Sequence, residues 1–149
     1  MIVYCDTSFL VSYLNEDDAK HRTARAAAEK WDTHDFVVCE VHLLELPAAV
    51  RAAVHRADSA VPEHIARRVI NRFDRAVNSK LFLRKPLDMA ESVSMARSLG
   101  DSHGWKKRHT TFDLWHLAAA WSLSAGVFLT FDERQAEIAK AIGMNIWVD

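Results

Sequence analysis

The sequence predicts an α/β fold on a mostly parallel central sheet of about five short strands. Three observations carry this. Short β-rich runs alternate along the chain with longer stretches of helical pattern, the order that builds strand–helix–strand units with right-handed crossovers. The β-rich runs are continuously apolar, without in–out alternation, which suits strands buried on both faces. The 149 residues suit one hydrophobic core, so a single domain over residues 1–149 is expected.

The first strand is expected at residues 2–5, with two β-branched members and Asp6 closing it. Asp6 is placed to cap a turn at Thr7-Ser8-Phe9. Residues 17–31, rich in Ala, Arg, Lys and Glu, read as a helix with Asp17 or Asp18 at its N-cap. A second strand follows at 36–39. Residues 42–55 carry Leu43, Leu46, Val50 and Val54 at helical spacing. Pro47 removes a backbone bond to Leu43 there, so a late start or a bend is expected. Residues 62–78 open on Pro and Glu and show Ile65, Val69, Phe73 and Val77 on one face. A short strand at 81–83 precedes a helix over 88–99 that Gly100 is expected to end. Thr110 and Thr111 are capping candidates for a helix over 112–124. Gly126 introduces a strand at 127–130, Asp132 opens a helix ending at Gly143, and a last strand lies at 145–148.

Composition narrows the function classes. The chain is 50% hydrophobic and 26% charged, with five Trp and seven Phe, which excludes a disordered or collagenous chain. No apolar run approaches the roughly 20 residues that cross a bilayer. The start, Met1-Ile2-Val3-Tyr4-Cys5-Asp6, lacks the basic region of a signal peptide. Cys5 and Cys39 sit in apolar stretches and read as buried small hydrophobes rather than a disulfide framework. A cytoplasmic protein without membrane partners is expected.

In parallel α/β sheets, sites form beyond the carboxyl ends of the strands. Asp6 directly follows the first strand, Asp132 lies two residues past Thr130, and Glu45 follows the second strand early in a helix. Asp113 opens the helix feeding the fourth strand and joins them if the chain returns to that edge. Two charges about 4 Å apart repel by roughly 4 kcal/mol at an effective dielectric near 20. Gathered acids therefore need protons, basic partners or cations. All-oxygen donors select Mg²⁺ or Mn²⁺ over Zn²⁺, and such ions support in-line displacement at phosphorus. Taken singly, each acid also has an ordinary structural role: Asp6 as a cap, Asp113 and Asp132 as first-turn acids, Glu45 as a solvated residue or a partner of Arg51.

The words around these acids resemble the PIN-domain family. Ile2-Val3-Tyr4-Cys5-Asp6-Thr7-Ser8 is similar to its opening strand and first acid. Glu45-Leu46 within residues 43–50 resembles its second motif, and Phe112-Asp113-Leu114-Trp115-His116-Leu117-Ala118-Ala119-Ala120 its third. Leu129-Thr130-Phe131-Asp132-Glu133-Arg134-Gln135, continuing through Gly143, resembles its fourth. The last two motifs are the specific ones, and the likeness spans the chain in order. At this size the chain is similar to VapC-type toxins of type II toxin–antitoxin pairs.

The resemblance implies a three-layer α/β/α arrangement and a Mg²⁺- or Mn²⁺-dependent endoribonuclease acting on RNA of the tRNA or rRNA class. It also implies a cognate antitoxin and a homodimer. By position, Asp6 and Asp113 become the principal metal ligands, and Glu45 and Asp132 complete the pocket by holding metal-bound water or a second ion. Thr7 and Thr130 support them. Two features depart from the family pattern: Pro47 follows the second acid closely and is expected to shift Glu45, and residues 101–109 form a longer, more basic connector than the minimal one.

The net charge is −1, yet residues 51–85 hold nine Lys and Arg against three acids. Lys106, Lys107 and Arg108 add a basic tip beside Trp105 and His109, suited to RNA phosphates and to stacking of an unpaired base. For the arginines of 67–75, a solvated helix face or pairing with an acidic partner is the stronger expectation. The eight His form no zinc-type cluster with the cysteines. His116, three residues after Asp113, is placed either to support that carboxylate or to sit in the core. Trp115 and Trp121 read as packing residues. Other classes fit less well. A PIN-fold scaffold does not require acids at all four positions, and a housekeeping RNA-processing nuclease differs only in context. A phosphoacceptor receiver domain wants an acidic neighbour beside Asp6, and a haloacid-dehalogenase phosphatase wants Asp-x-Asp, where this chain has Asp6-Thr7-Ser8.

Overall fold

A computed structural model describes residues 1–31 and 35–147. In chain order the elements are β1 (Val3–Cys5), α1 (Thr7–Leu14), α2 (His21–Ala28), β2 (Phe36–Val38), α3 (Glu40–Ala53), α4 (Glu63–Asn78), β3 (Leu83–Arg84), α5 (Met89–His103), α6 (Thr111–Ser122), β4 (Val127–Leu129), α7 (Glu133–Ala141) and β5 (Asn145–Trp147). The five strands form one sheet in the order β3-β2-β1-β4-β5, and every pairing is parallel.

The continuous apolar runs have the meaning expected of them. Val3 and Cys5, Phe36 and Val38, and Val127 and Leu129 join a core with α1, α2 and α4. The intervening Tyr4, Val37 and Phe128 join a second core with α5, α6 and α7. Period-two side-chain alternation thus feeds both faces of the sheet, and the layers are helix, sheet, helix. Helix α3 contributes to both: Val41 to the second core, Leu46 and Val50 to the first.

Several sequence-based boundaries move. The turn expected at Thr7-Ser8-Phe9 is the first turn of α1, capped by Asp6. The helix expected from residue 17 begins at His21, after turns in which the Asp18 side chain accepts from the Lys20 N–H at 2.8 Å. Helix α3 starts earlier than expected and runs through Pro47. Its N-terminus is closed by His42, whose Nδ1 accepts from the Cys39 N–H at 3.1 Å, and Val41, Leu46 and Val50 anchor it in the two cores. Gly100 does not end α5, which continues to His103. A Cβ at Gly100 would stand 3.2 Å from Leu114 Cδ1, so this glycine serves the close approach of α5 to α6. The third strand falls at Leu83–Arg84, past the buried Phe82. Residue 148 of the expected last strand lies outside the described residues.

The sheet order fixes where a site can form. From β1 the chain moves to β2 and β3 on one side, whereas β4 pairs on the other side of β1 and leads outward to β5. The direction of winding reverses between β1 and β4, and a crevice opens at such a reversal beyond the carboxyl ends of the strands. Asp6 leaves β1 there, and Thr130 leaves β4.

Candidate active site

The crevice is a cleft of about 710 Å³ whose walls include Asp6, Glu45, Asp113, His116, Asp132 and Gln135. The four acids predicted from sequence therefore share one cavity. Helix α6 brings Asp113 to this edge by its N-terminus. Thr110 caps it, accepting from the Asp113 N–H at 3.1 Å, while Asp113 Oδ2 accepts from the Thr110 N–H at 2.7 Å. This reciprocal capping box leaves Asp113 Oδ1 for the cleft.

Asp6 lies deepest, 1% exposed. Its Oδ1 accepts from the Phe9 N–H at 2.8 Å and from Ser8 Oγ at 2.9 Å, and its Oδ2 accepts from Thr130 Oγ1 at 2.6 Å. Burial pushes its carboxyl above the ordinary value, only partly offset by the hydrogen bonds from Thr130, the Phe9 amide and Ser8. Thr130 also accepts from the Asp132 N–H at 2.9 Å, so one hydroxyl ties the first acid to the loop carrying the fourth.

Glu45 behaves oppositely. Thr7 Oγ1 donates to its Oε2, and His116 Nε2 stands 2.5 Å from the same oxygen. Burial pushes this carboxyl up, but the hydrogen bond and charge of His116, with Thr7, outweigh it and hold Glu45 below the usual carboxylate range. Pro47 does not turn Glu45 from the cleft. His116 supports Glu45 rather than Asp113, the partner its spacing suggested. Asp132 caps α7, accepting from the Arg134 N–H at 2.8 Å, and the Arg134 guanidinium grips both of its oxygens, at 3.1 and 2.7 Å. Burial again pushes up, and Arg134 overrides it to hold Asp132 low.

Gln135 carries no signal of its own in the sequence. It is 4% exposed, and its Nε2 donates to Asp6 Oδ2 at 3.2 Å and reaches Asp113 Oδ1 at 3.5 Å, while its Oε1 is buried without a partner. One amide thus spans the two carboxylates. Its place in the acid-bearing motif, three residues past Asp132, was the available clue, but a glutamine on a helix has no special pattern.

Among the described residues no three His, Cys, Asp or Glu side chains stand close enough to enclose an ion directly. The donor set nonetheless fits a hard dication. Mg²⁺ keeps several waters and takes one or two carboxylates, and Asp6 and Asp113 present oxygens to one point now spanned by a neutral amide. Among the described residues no thiol lines this cleft: Cys5 and Cys39 are buried elsewhere, and burial raises both.

The basic tip is tied to the same edge. Arg134 Nη1 donates to the Arg108 carbonyl at 2.8 Å. Lys107 pairs with Glu137 at 2.5 Å, while Trp105 is 89% exposed. Three of the four arginines of α4 pair with acids: Arg67 with Glu63, Arg68 with Asp17, and Arg72 with Glu16. Trp115 packs as expected, its indole N–H donating to Ser92 Oγ at 3.1 Å, whereas Trp121 is largely exposed. No described helix is long and apolar enough to cross a membrane.

Comparison with known proteins identifies the family and the fold. The sequence matches the PIN domain family over residues 3–141. No curated protein matches it significantly. Among solved structures the chain is similar to one from FitAcB of Neisseria gonorrhoeae, with 18% identity, 98% of this chain and 96% of that chain covered, and a TM-score of 0.66. It is also similar to a chain of VapBC2 from Rickettsia felis bound to a DNA fragment from their promoter, with 13% identity, coverages of 100% and 99% and a TM-score of 0.66. A third is Mycobacterium tuberculosis VapC20, a Sarcin-Ricin loop cleaving toxin, with 17% identity, 95% of each chain covered and a TM-score of 0.66. At these identities the likeness establishes the fold.

Proposed function

Because the chain belongs to the PIN domain family, we propose that it is a Mg²⁺- or Mn²⁺-dependent endoribonuclease, the toxin of a type II toxin–antitoxin pair. The observation that carries this reading is the meeting of Asp6, Glu45, Asp113 and Asp132 in one cleft at the winding reversal of the sheet. Asp6 and Asp113 would hold the ion. A bound dication supplies charge stabilisation at phosphorus and a more acidic water. The remaining chemistry belongs to the protein. Glu45, held ionised by His116 and Thr7, accepts a proton from the attacking water. Thr7 and Thr130 orient the acids beside them. Asp132 completes the acidic wall, with Arg134 balancing its charge at the rim.

RNA is the substrate class that fits the cleft and its surroundings. Lys106 and Arg108 sit on the tip that Arg134 ties to the cleft edge, beside the exposed Trp105 ring. Phosphate neutralisation and base stacking are what an unpaired RNA strand asks of such a tip. Lys107 joins them when it leaves Glu137, since an exposed ion pair is worth at most about 1 kcal/mol. Similarity to the Sarcin-Ricin loop cleaving toxin VapC20 supports structured RNA of the tRNA or rRNA class. Similarity to VapBC2 supports a cognate antitoxin; the homodimer and the cytoplasmic setting belong to the same reading through the resemblance to VapC-type toxins.

The test is cleavage of total RNA by the purified chain in Mg²⁺ or Mn²⁺, followed by mapping of the new ends. EDTA should abolish cleavage, and Asp6→Asn should lower it by about 100-fold or more, the scale of several kcal/mol of lost transition-state stabilisation. Undiminished cleavage by Asp6→Asn in EDTA would overturn the reading. A reading frame for a small DNA-binding or acidic-tailed protein just upstream separates a toxin from a housekeeping nuclease.

A further inference from the structure

Glu45 is held from one side only. Both of its protein partners, Thr7 and His116, meet Oε2, and among the described residues no donor reaches Oε1. The side chain remains 22% exposed and lines the cleft, so Oε1 is the oxygen available to whatever enters.

The hydrogen positions follow from the bonding. Thr7 has one hydroxyl proton and gives it to Glu45. Thr7 Oγ1 therefore accepts from His116 Nε2, 3.0 Å away, and Nε2 carries hydrogen, shared between Thr7 and Glu45. On the other side of the ring, Nδ1 lies 2.9 Å from the Tyr4 hydroxyl. Tyr4 is 0% exposed, and its hydroxyl anchors Nδ1. Behind it the network closes: the Tyr4 hydroxyl is 3.7 Å from Cys39 Sγ, the Cys39 N–H occupies His42 Nδ1, and His42 Nε2 therefore donates to the Cys5 carbonyl at 2.8 Å. That carbonyl belongs to the residue before Asp6. A histidine serving only the core would spend both nitrogens on buried groups, whereas His116, 2% exposed, aims one at a carboxylate on the cleft wall.

We propose that His116 is the positioning residue of Glu45: with Thr7 it takes up one carboxylate oxygen through its Nε2–H, Tyr4 anchors the far side of its ring, and Oε1 alone is left to receive the proton of the attacking water. This rests on the nuclease reading. In the step it serves, the water oxygen bonds to phosphorus and its proton passes to Glu45 Oε1. The bond from phosphorus to the leaving ester oxygen breaks with its electron pair on that oxygen. The leaving oxygen is then protonated from solvent, and Glu45 releases its proton.

The test compares His116→Gln, which keeps an N–H donor near the Nε2 position, with His116→Asn, which reaches only the Nδ1 position. Tyr4→Phe removes one hydroxyl alone. Rates are read on total RNA with Mg²⁺, at equal folded fraction by circular dichroism. Losing a group that orients a reacting residue typically costs about 10–100-fold. His116→Asn should lower the saturated rate by roughly that factor with half-saturation changed by less than about 2-fold, and His116→Gln should restore most of the loss. Tyr4→Phe should fall between them. The nitrogen spectrum of ¹⁵N-histidine-labelled wild-type protein should show His116 protonated at Nε2, with that resonance moved by Glu45→Gln. Equal activity of the Asn and Gln variants, or a His116 proton on Nδ1 alone, would overturn the proposal. A wild-type chain that cleaves no RNA overturns the nuclease reading instead, and the nitrogen spectrum still decides whether His116 holds Glu45.

Discussion

At the scale of the residue, His42 carries the clearest solution signature. It is wholly buried among Tyr4, Cys39 and His116. Burial, with the charge of His116 added, lowers its pKa from 6.5 to about 3, against a smaller opposing effect of its bond to the Cys5 carbonyl. The folded state thus keeps His42 neutral where the unfolded state protonates it. Its contribution is complete above about pH 6.5 and is lost as pH falls, by up to about 1.4 kcal/mol per pH unit. Asp6 acts in the other sense, since its raised pKa favours the folded state more as carboxyls protonate, so the informative window is about pH 6.5 to 5. Urea unfolding across it should show wild-type stability falling steeply and His42→Gln, though less stable throughout, falling less. Parallel slopes would contradict the assignment. The candidate acids were legible at this scale because each follows a strand, opens a helix or, like Glu45, stands in the first turns of one. The Glu45–His116 pair and Gln135 were not: positions 45 and 116 meet only through the sheet order, and spacing along one helix pointed His116 at Asp113.

At the scale of the element, glycine is read differently by sequence and by packing. Gly143 adopts φ +85° after α7, the left-handed turn that only glycine takes without strain, and its role as a stop signal was legible. Gly100 looked alike but sits inside α5, facing Leu114, and local pattern cannot tell a helix end from a helix packing site. The distinction is testable. Gly100→Ala gains about 1 kcal/mol of helix propensity and meets only the movable end of Leu114, so its melting temperature should match or exceed wild type. Gly100→Leu overfills the space between α5 and α6 and should lose roughly 1–3 kcal/mol. Equal stability of the two variants would contradict the close approach. Helix α1 was missed for a related reason: six of its eight residues are buried, so it shows little amphipathic period. Helix α3 passes Pro47 because packing in two cores outweighs one missing backbone bond.

At the scale of the molecule, a net charge of −1 hides a division of labour. Arg67, Arg68 and Arg72 are paired with the chain's own acids, so the cationic excess of residues 51–85 is partly spent internally. The tip at 105–108 adjoins the cleft edge instead. Removing one cation that neutralises an RNA phosphate should lower the slope of log affinity against log salt by about 0.7–0.9. Joint replacement of Lys106 and Arg108 by Gln should therefore flatten that slope by roughly one to two on single-stranded RNA. Lys107→Gln should change it less, because Glu137 already holds that ammonium. An unchanged slope in the joint variant would remove the tip from the RNA path.

The sheet order β3-β2-β1-β4-β5 brings acids distant in sequence into one crevice, and the proposed chemistry depends on that crevice receiving a hard dication. Anomalous diffraction from crystals soaked in Mn²⁺ tests this most directly. A manganese peak between the carboxylates of Asp6 and Asp113, absent from Asp113→Asn crystals treated alike, is the predicted result; manganese bound elsewhere, with the Asp6–Gln135–Asp113 bridge undisturbed, would contradict it.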